Sequence, residues 1–354
     1  MLISIGILAW NEAASIEATV KSLLGQSALR GPAGDLPDTE WEIVVVPNGC
    51  TDDTAARARQ ALAEGVAATG RRDVRWAVHE VPEAGKSNAW NRYVHEFASP
   101  ASDLIVMLDA DIVFGEAETI SNTVRALLAD PAAVAAVDLP LKDVERKPRK
   151  TLLERISVAA SRAATSGSVA ISGQFFCARA AALRDIWMPK GLSVEDGFLR
   201  AMIVTDCFRS PPDEKKVIRA PNASHYFETL TSLRDIFRHE LRLVVGTALN
   251  CYLMWDFLAY ATDPRGAGAG ALIRSRMSDD DGWYPNLMAN AVRNHGWWAL
   301  PRGTLFRRFA GLKARRGLAL LRSLPIATVG TALDIPVFLL ANQKLKRRSA
   351  IGYW

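Results

Sequence analysis

The sequence predicts an α/β fold: a mixed, mostly parallel sheet flanked by helices, followed by a helical, basic C-terminal region. Three observations carry this. Four apolar runs, Leu2–Ala9, Trp41–Val46, Val74–Val81 and Leu104–Leu108, alternate with helical patterns near the start of the chain. Polar and glycine-bearing punctuation follows each run, where ligands collect in such sheets. From about residue 263 strand patterns give way to Arg, Lys and Trp. Residues 1–262 are therefore expected to form the α/β domain, and residues 263–354 the basic helical region.

Each element has its own justification. Leu2–Ala9 is an unbroken apolar strand that runs into Asn11-Glu12, so it reads as a first strand and not as a signal peptide. Ile16, Val20, Leu23 and Leu24 then recur at helical spacing. Arg30 to Asp38 is a Gly/Pro/Asp-rich loop. Pro47-Asn48-Gly49 ends the second strand, and Thr51-Asp52-Asp53-Thr54 caps a helix through about Glu64. Gly85-Lys86-Ser87-Asn88 opens a helix through about Phe97. Ala135 to Leu141 and Ile171 to Phe176 read as further strands. Gly191 to Asp196 leads into an apolar helix, Phe198 to Val204, and Leu230 to about Tyr260 is a long helical stretch. Gly266 to Gly270 reads as a flexible joint.

The fourth strand ends in Asp109-Ala110-Asp111. Side chains alternate along a strand, so the two carboxylates are expected to point the same way. Two hard oxygen ligands at a strand end suit Mg²⁺ or Mn²⁺, whose shell substrate phosphates complete. No G-x-G-x-x-G follows the first strand and no G-x-x-x-x-G-K-[ST] occurs, which disfavours a dinucleotide dehydrogenase and a P-loop NTPase. The four cysteines are far apart and include no C-x-x-C, so neither a zinc site nor a disulfide framework is expected. A net charge of +5 fits anionic partners without implying nucleic acid.

In the tail, Arg302 to Arg322 reads as a basic amphipathic helix of the kind that lies on an anionic bilayer. Leu324 to Leu340 is apolar, contains Pro325, Asp334 and Pro336, and is short for a membrane span. Lys344 to Arg348 follows as a basic run.

An ordered set of motifs resembles the family 2 glycosyltransferases, with their GT-A fold. They are Ala9-Trp10-Asn11-Glu12, Asn48-Gly49-Cys50-Thr51-Asp52-Asp53-Thr54, Gly85-Lys86-Ser87-Asn88-Ala89-Trp90-Asn91, Asp109-Ala110-Asp111, Val194-Glu195-Asp196 and His239-Glu240-Leu241-Arg242-Leu243. The resemblance implies an inverting transfer of sugar from a nucleotide-sugar, UDP-sugar first, to a hydroxyl. Asp109 and Asp111 would hold Mn²⁺ or Mg²⁺ on the diphosphate, with Asp111 the direct ligand. Asp196 would be the general base, and Glu195 would shape the acceptor side together with Gly173 and Gln174. Ala9, Asn11, Glu12, Asn48, Lys86, Asp109 and Arg242 would line the donor site, and Asn91 would hydrogen-bond the metal loop.

Two departures from the family pattern matter. The Gln-x-x-Arg-Trp motif reads His239-x-x-Arg242-Leu243 here, which puts in doubt the acceptor platform of processive synthases. Asn48 stands where the family has a uracil-reading aspartate, and its amide suits a pyrimidine or guanine. By the same resemblance, His225 or His239 would be a candidate to complete the metal shell. Expected partners are the nucleotide-sugar, a lipid, lipid-linked saccharide or glycan acceptor, and an anionic membrane surface, with no nucleic acid. The place expected is the cytoplasmic face of a membrane, with peripheral attachment. The rivals are a sugar-phosphate nucleotidyltransferase, whose Gly-rich loop after the first strand is missing, and a non-catalytic nucleotide-sugar-binding or membrane-interaction protein.

Overall fold

The computed structural model describes residues 1–30, 34–151, 154, 155, 158, 169–230, 232–310, 312 and 317–347. Two compact units arise. The first comprises Met1–Lys190, Glu195–Thr229 and Thr262–Ser275, and the second Gly191–Val194, Leu230–Ala261 and Arg276–Trp354. This division differs from a single boundary at 262/263, because residues 230–261 group with the tail.

The first unit holds one eight-stranded sheet, with strands β1 (Leu2–Ala9), β2 (Glu40–Pro47), β3 (Val74–Val78), β4 (Leu104–Asp109), β5 (Val113–Phe114), β6 (Ala135–Lys142), β7 (Phe175–Arg179) and β8 (Val217–Phe227). Their order is β3-β2-β1-β4-β7-β6-β8-β5. β1 to β4 pair in parallel, as the alternation predicts. β7 runs antiparallel to both β4 and β6, so direction reverses beside Asp109. The helices α1 (Ile16–Leu24), α2 (Thr54–Thr69), α3 (Lys86–Arg92) and α4 (Thr119–Ala129) connect or flank these strands.

Every residue of β1 is buried, on both faces. That explains an unbroken apolar run instead of alternation: helices cover both sides of a parallel sheet. Ile3, Ile5, Ile7, Ile43, Val45 and Val106 share the core, each contributing about 1.5–3 kcal/mol by leaving water. Gly6 is the exception in size. A Cβ there would lie 2.2 Å from the ring of Tyr93, whose hydroxyl bonds Ser4.

Several sequence expectations shift. α2 runs through Gly65 to Thr69 and ends at Gly70, which takes the left-handed conformation that terminates helices. The helix expected through Phe97 is α3 followed by a π-helical turn, Tyr93–Phe97. The strand expected from Ile171 begins at Phe175, and Gly173-Gln174 form a turn. Gly268 and Gly270 are not a flexible joint. They belong to a helix, Gly268–Asp279, and a Cβ at Gly270 would overlap the Asp185 carbonyl. β8 was not expected, since Pro221-Asn222 interrupts its pattern; Asn222 has φ +51° where the register with β6 shifts.

Two more helices, α5 (Glu195–Val204) and α6 (Leu233–Cys251), follow along the chain; α6 lies in the second unit and continues through a π-helical stretch, Tyr252–Leu258. Residues Arg234–Ala261 are long and apolar enough to cross a membrane by length and composition, with 56% of the apolar window buried inside the protein. The single helix expected over Arg302 to Arg322 is broken into a 3₁₀ turn, Arg302–Phe306, a short helix, Arg307–Ala310, and a new start at Leu318. Gly317, at φ +59°, precedes that start. Lys313, Arg315, Arg316, Arg348 and Trp354 lie outside the described residues. The apolar stretch from Leu324 falls inside one helix, Leu318–Lys346, despite its two prolines.

Candidate active site

The carboxyl ends of β1, β2 and β4 meet the β4–β7 reversal. Chain topology therefore delivers the loops after these strands to one place. The tie between the first two is Asn48, which is 2% exposed. Its Nδ2 donates to Ala9 O at 3.0 Å, and its Oδ1 accepts from Gly85 N at 3.0 Å. Asn48 thus positions the loop before Lys86. Each end of its amide has one backbone partner. Ala9 is buried, and its carbonyl also accepts from Asn48 N and Cys50 Sγ. Asn11 sits at φ +56°, a conformation Asn tolerates, and its Oδ1 accepts from Thr51 N at 2.8 Å. Asp52 accepts from Ala13 N and Thr54 N, the second bond closing an Asx-turn just before α2.

Lys86 opens α3 and reaches into a ring of acids. Its ammonium lies 2.8 Å from Asp109 Oδ1 and 2.9 Å from Glu195 Oε1, and donates to Gly173 O at 3.4 Å. Gly173 N in turn donates to Asp196 Oδ2 at 3.4 Å. Asp109 N donates to Gln174 O at 2.9 Å. Residues 86, 109, 173, 174, 195 and 196 are therefore brought together from four separate segments. Space explains the glycine: a Cβ at 173 would stand 3.2 Å from Glu195 Oε1 and 3.3 Å from Lys86 Nζ.

The electrostatics follow from crowding. Burial pushes the Asp109 carboxyl up to about 6; Lys86 opposes this and Asp111 adds to it. Asp111 is raised by desolvation and then by Glu12. Glu12 is raised by burial, with Asp109, Asp52 and Glu228 adding to the rise; its bond from Ser15 Oγ opposes it. Asp196 is raised by burial and by the adjacent Glu195 charge. Burial works to lower Lys86, but Asp109 and Glu195 outweigh it and keep the ammonium protonated. One cation thus faces an excess of carboxylates.

This donor set fits a hard divalent cation held partly by substrate. Among the described residues no three His, Cys, Asp or Glu side chains are arranged to hold a metal alone. An ion at Asp109 and Asp111 would complete its shell from phosphate or water, the usual habit of Mg²⁺. β4 ends at Asp109, so Asp111 stands in the following turn and strand alternation does not extend to it.

His225 is fully buried, its Nδ1 2.8 Å from Asp138 Oδ2 and its Nε2 3.2 Å from Gln174 Oε1. Both ring nitrogens are therefore engaged within the protein. Asn91 bonds the backbone of Met188 in both directions and does not reach the metal loop. His239 and Arg242 lie on α6 in the second unit. Sequence reasoning missed Glu228, Asp138 and the positioning role of Asn48. The first follows the unrecognised strand β8, and nothing in the local pattern around Asp138 marks it.

Comparison with known proteins places these features. The model of glycosyl transferase family 2 matches residues 4–187. A mannosyltransferase, PcManGT from Pyrobaculum calidifontis, solved in complex with GDP-Man and Mn²⁺, aligns over 99% of this chain and 87% of its own, at 18% identity and a TM-score of 0.52. Glucosyl-3-phosphoglycerate synthase from Mycobacterium tuberculosis, solved with Mg²⁺ and UDP, aligns over 70% of this chain and 79% of its own, at 21% identity and a TM-score of 0.43. No curated protein matches the chain. The mostly parallel sheet with its reversal at β7 is the GT-A fold, which the alignment over nearly the whole chain supports. With more than half its length matched, the chain belongs to glycosyl transferase family 2 and is a glycosyltransferase.

Proposed function

We propose that this glycosyltransferase inverts the anomeric centre of a nucleoside-diphosphate sugar while passing the sugar to a hydroxyl. The observation that supports this most directly is the ring of acids around Lys86, with Asp196 beside Gly173. A bound Mn²⁺ or Mg²⁺, held by Asp109 and Asp111, would stabilise charge growing on the leaving diphosphate. Lys86 faces the same edge and supplies a second positive charge there, while Glu12 and Asn11 border the donor side. Asp196 accepts the proton of the attacking hydroxyl. Its raised affinity for protons makes it a better base than an ordinary aspartate. Gly173, Gln174 and Glu195 shape the acceptor side. The family resemblance assigns Arg242 to the diphosphate, whose two oxygens suit a guanidinium. The catalytic domain is taken to extend to about residue 262 so that it includes Arg242, with residues 263–354 as the basic region.

The relatives were solved with GDP-Man and with UDP, so both nucleotide classes belong in a donor screen; UDP-sugar is the first choice. We further take the acceptor to be a lipid, a lipid-linked saccharide or a glycan, presented at the cytoplasmic face of a membrane with anionic headgroups. The basic run of the tail supports that reading.

Asp196→Asn tests the base. Transfer should fall about 10²–10⁴-fold, the usual worth of a positioned base. Donor binding, read as Mn²⁺-dependent thermal stabilisation, should persist. A variant that turns over near the wild-type rate removes Asp196 from the reaction.

A further inference from the structure

The helix Leu318–Lys346 is inside out for a protein in water. Its buried side carries Ala327, Val337, Phe338, Ala341 and Leu345, but also Asp334, which is only 3% exposed. Asp334 is bound there by Arg307 and Arg308, at 3.1 and 2.7 Å. The opposite side contains Leu324, Val329, Ala332, Ile335, Pro336 and Leu339, all exposed. The four large aliphatic residues among them are between 46% (Leu324) and 60% (Val329) exposed. They follow one another at four to six residues, which keeps them within one broad stripe of the helix. Every exposed position between 324 and 339, among the described side chains, is Leu, Pro, Thr, Val, Ala or Ile. Beyond Leu339 the exposed positions are Gln343, Lys346 and Arg347.

Charge identifies what covers this stripe. Residues 301–348 contain eleven Lys and Arg and a single acid, Asp334, which two arginines already neutralise. A basic segment with an uncharged aliphatic face is complementary to an anionic bilayer surface, which offers hydrocarbon and negative headgroups together. A second copy of the same segment would instead bring like charges together.

The fold also selects the mode of contact. The helix bends by 41° between Ser323–Ala332 and Asp334–Lys346. Pro336 accounts for the bend, since it withdraws the hydrogen bond to the Ala332 carbonyl at that break. A straight span would place Asp334 with its two guanidinium groups near mid-membrane, a costly position.

We propose that Leu318–Lys346 lies in the plane of an anionic membrane surface, with Leu324, Val329, Ile335 and Leu339 inserted among the acyl chains and the Arg307–Arg308–Asp334 cluster turned toward the protein. This rests on the membrane reading given above and adds the face and the orientation.

The test is flotation of the full chain with phosphatidylcholine vesicles, with and without anionic phosphatidylglycerol. The wild type should float with the anionic vesicles. Val329→Glu/Ile335→Glu/Leu339→Glu should weaken this at least about tenfold, since charge on the inserted face opposes insertion. Its Mn²⁺- and donor-dependent thermal shift should be unchanged. Ile335→Gln/Leu339→Gln is the gentler pair if the triple variant melts early, and it should weaken flotation in the same direction. Flotation of folded variants equal to the wild type overturns this inference alone. Failure of the wild type to float overturns it together with the membrane reading. Conversion of a dimer to a monomer by the substitutions, with flotation unaffected, assigns the face to a second copy and also overturns it.

Discussion

The two units arrange polarity in opposite senses. In the first, hydrocarbon is enclosed and carboxylates gather at strand ends around one ammonium. In the second, the long helix encloses its only acid and leaves hydrocarbon outside. Both contain strongly apolar sequence, Ile3 to Ala9 in one and Leu324 to Val329 in the other, with only small or polar residues such as Ser4, Gly6 and Thr328 between the large ones. Hydropathy therefore does not decide which side faces water; the neighbours supplied by the rest of the fold do.

The largest effect should come from the acids of the first unit. Asp111→Asn is expected to lower kcat/KM on the order of 10³-fold without loss of fold, because a ligand for the leaving-group cation is gone. If Asp334→Asn in the second unit cost as much activity with a soluble acceptor, the separation of tasks between the units would collapse.

Next is Lys86→Met, which strands Asp109 and Glu195 beside each other. The metal-free protein should lose about 3 kcal/mol, since removing one partner of a buried pair leaves the other charge uncompensated. Mn²⁺ should restore part of the melting temperature. A variant as stable as the wild type without metal would mean the ring of acids is not under charge stress.

Asp334→Asn itself should cost about 2 kcal/mol or less, because Arg307 and Arg308 remain partly in water and can be rehydrated. Urea melts of the full chain would read this, and a loss above that of Lys86→Met would reverse the ranking.

The smallest effect is a pH dependence. Asp109 titrates at about 6 in the folded chain and near 4 when unfolded. Between those values the folded state holds the extra proton. Stability from this group is therefore present below that window and declines as pH rises through about 6, by about 1–2 kcal/mol in metal-free protein. Melting temperatures from pH 5 to 7.5 check the sign; a steady rise would contradict it.

Much of the first unit was legible in the sequence, because its evidence is local. Apolar runs closed by Asn11, Pro47 and Asp109 mark strand ends, and β1 to β4 fall near the expected positions. Lys86, Asp109, Glu195 and Asp196 were nameable for the same reason, each standing at the end of a run or at a helix start. Illegible were features that depend on partners far along the chain. The partners of the Asn48 amide, the backbone at Ala9 and Gly85, are remote in sequence. β8 was hidden by Pro221-Asn222, whose bulge only makes sense against β6. Gly270 resembled a hinge because its neighbour, the Asp185 carbonyl, is 85 positions earlier. The exposure of Val329 and Ile335 could not be inferred from composition, since a core helix has the same one.

The seat of Gly270 governs how this molecule can be cut. The family match stops at Trp187, yet Asp196, β8 and the segment Thr262–Ser275 all belong to the first unit. At Gly270 the bare α-carbon leaves room for the Asp185 carbonyl, which any larger residue would evict. The backbone departs at Thr229 and comes home at Thr262, like a bolt shot back into its keeper. An excised catalytic fragment ending at residue 187 or 229 would leave that keeper empty, so the shortest sensible excision runs through Ser275 and carries the intervening helix with it.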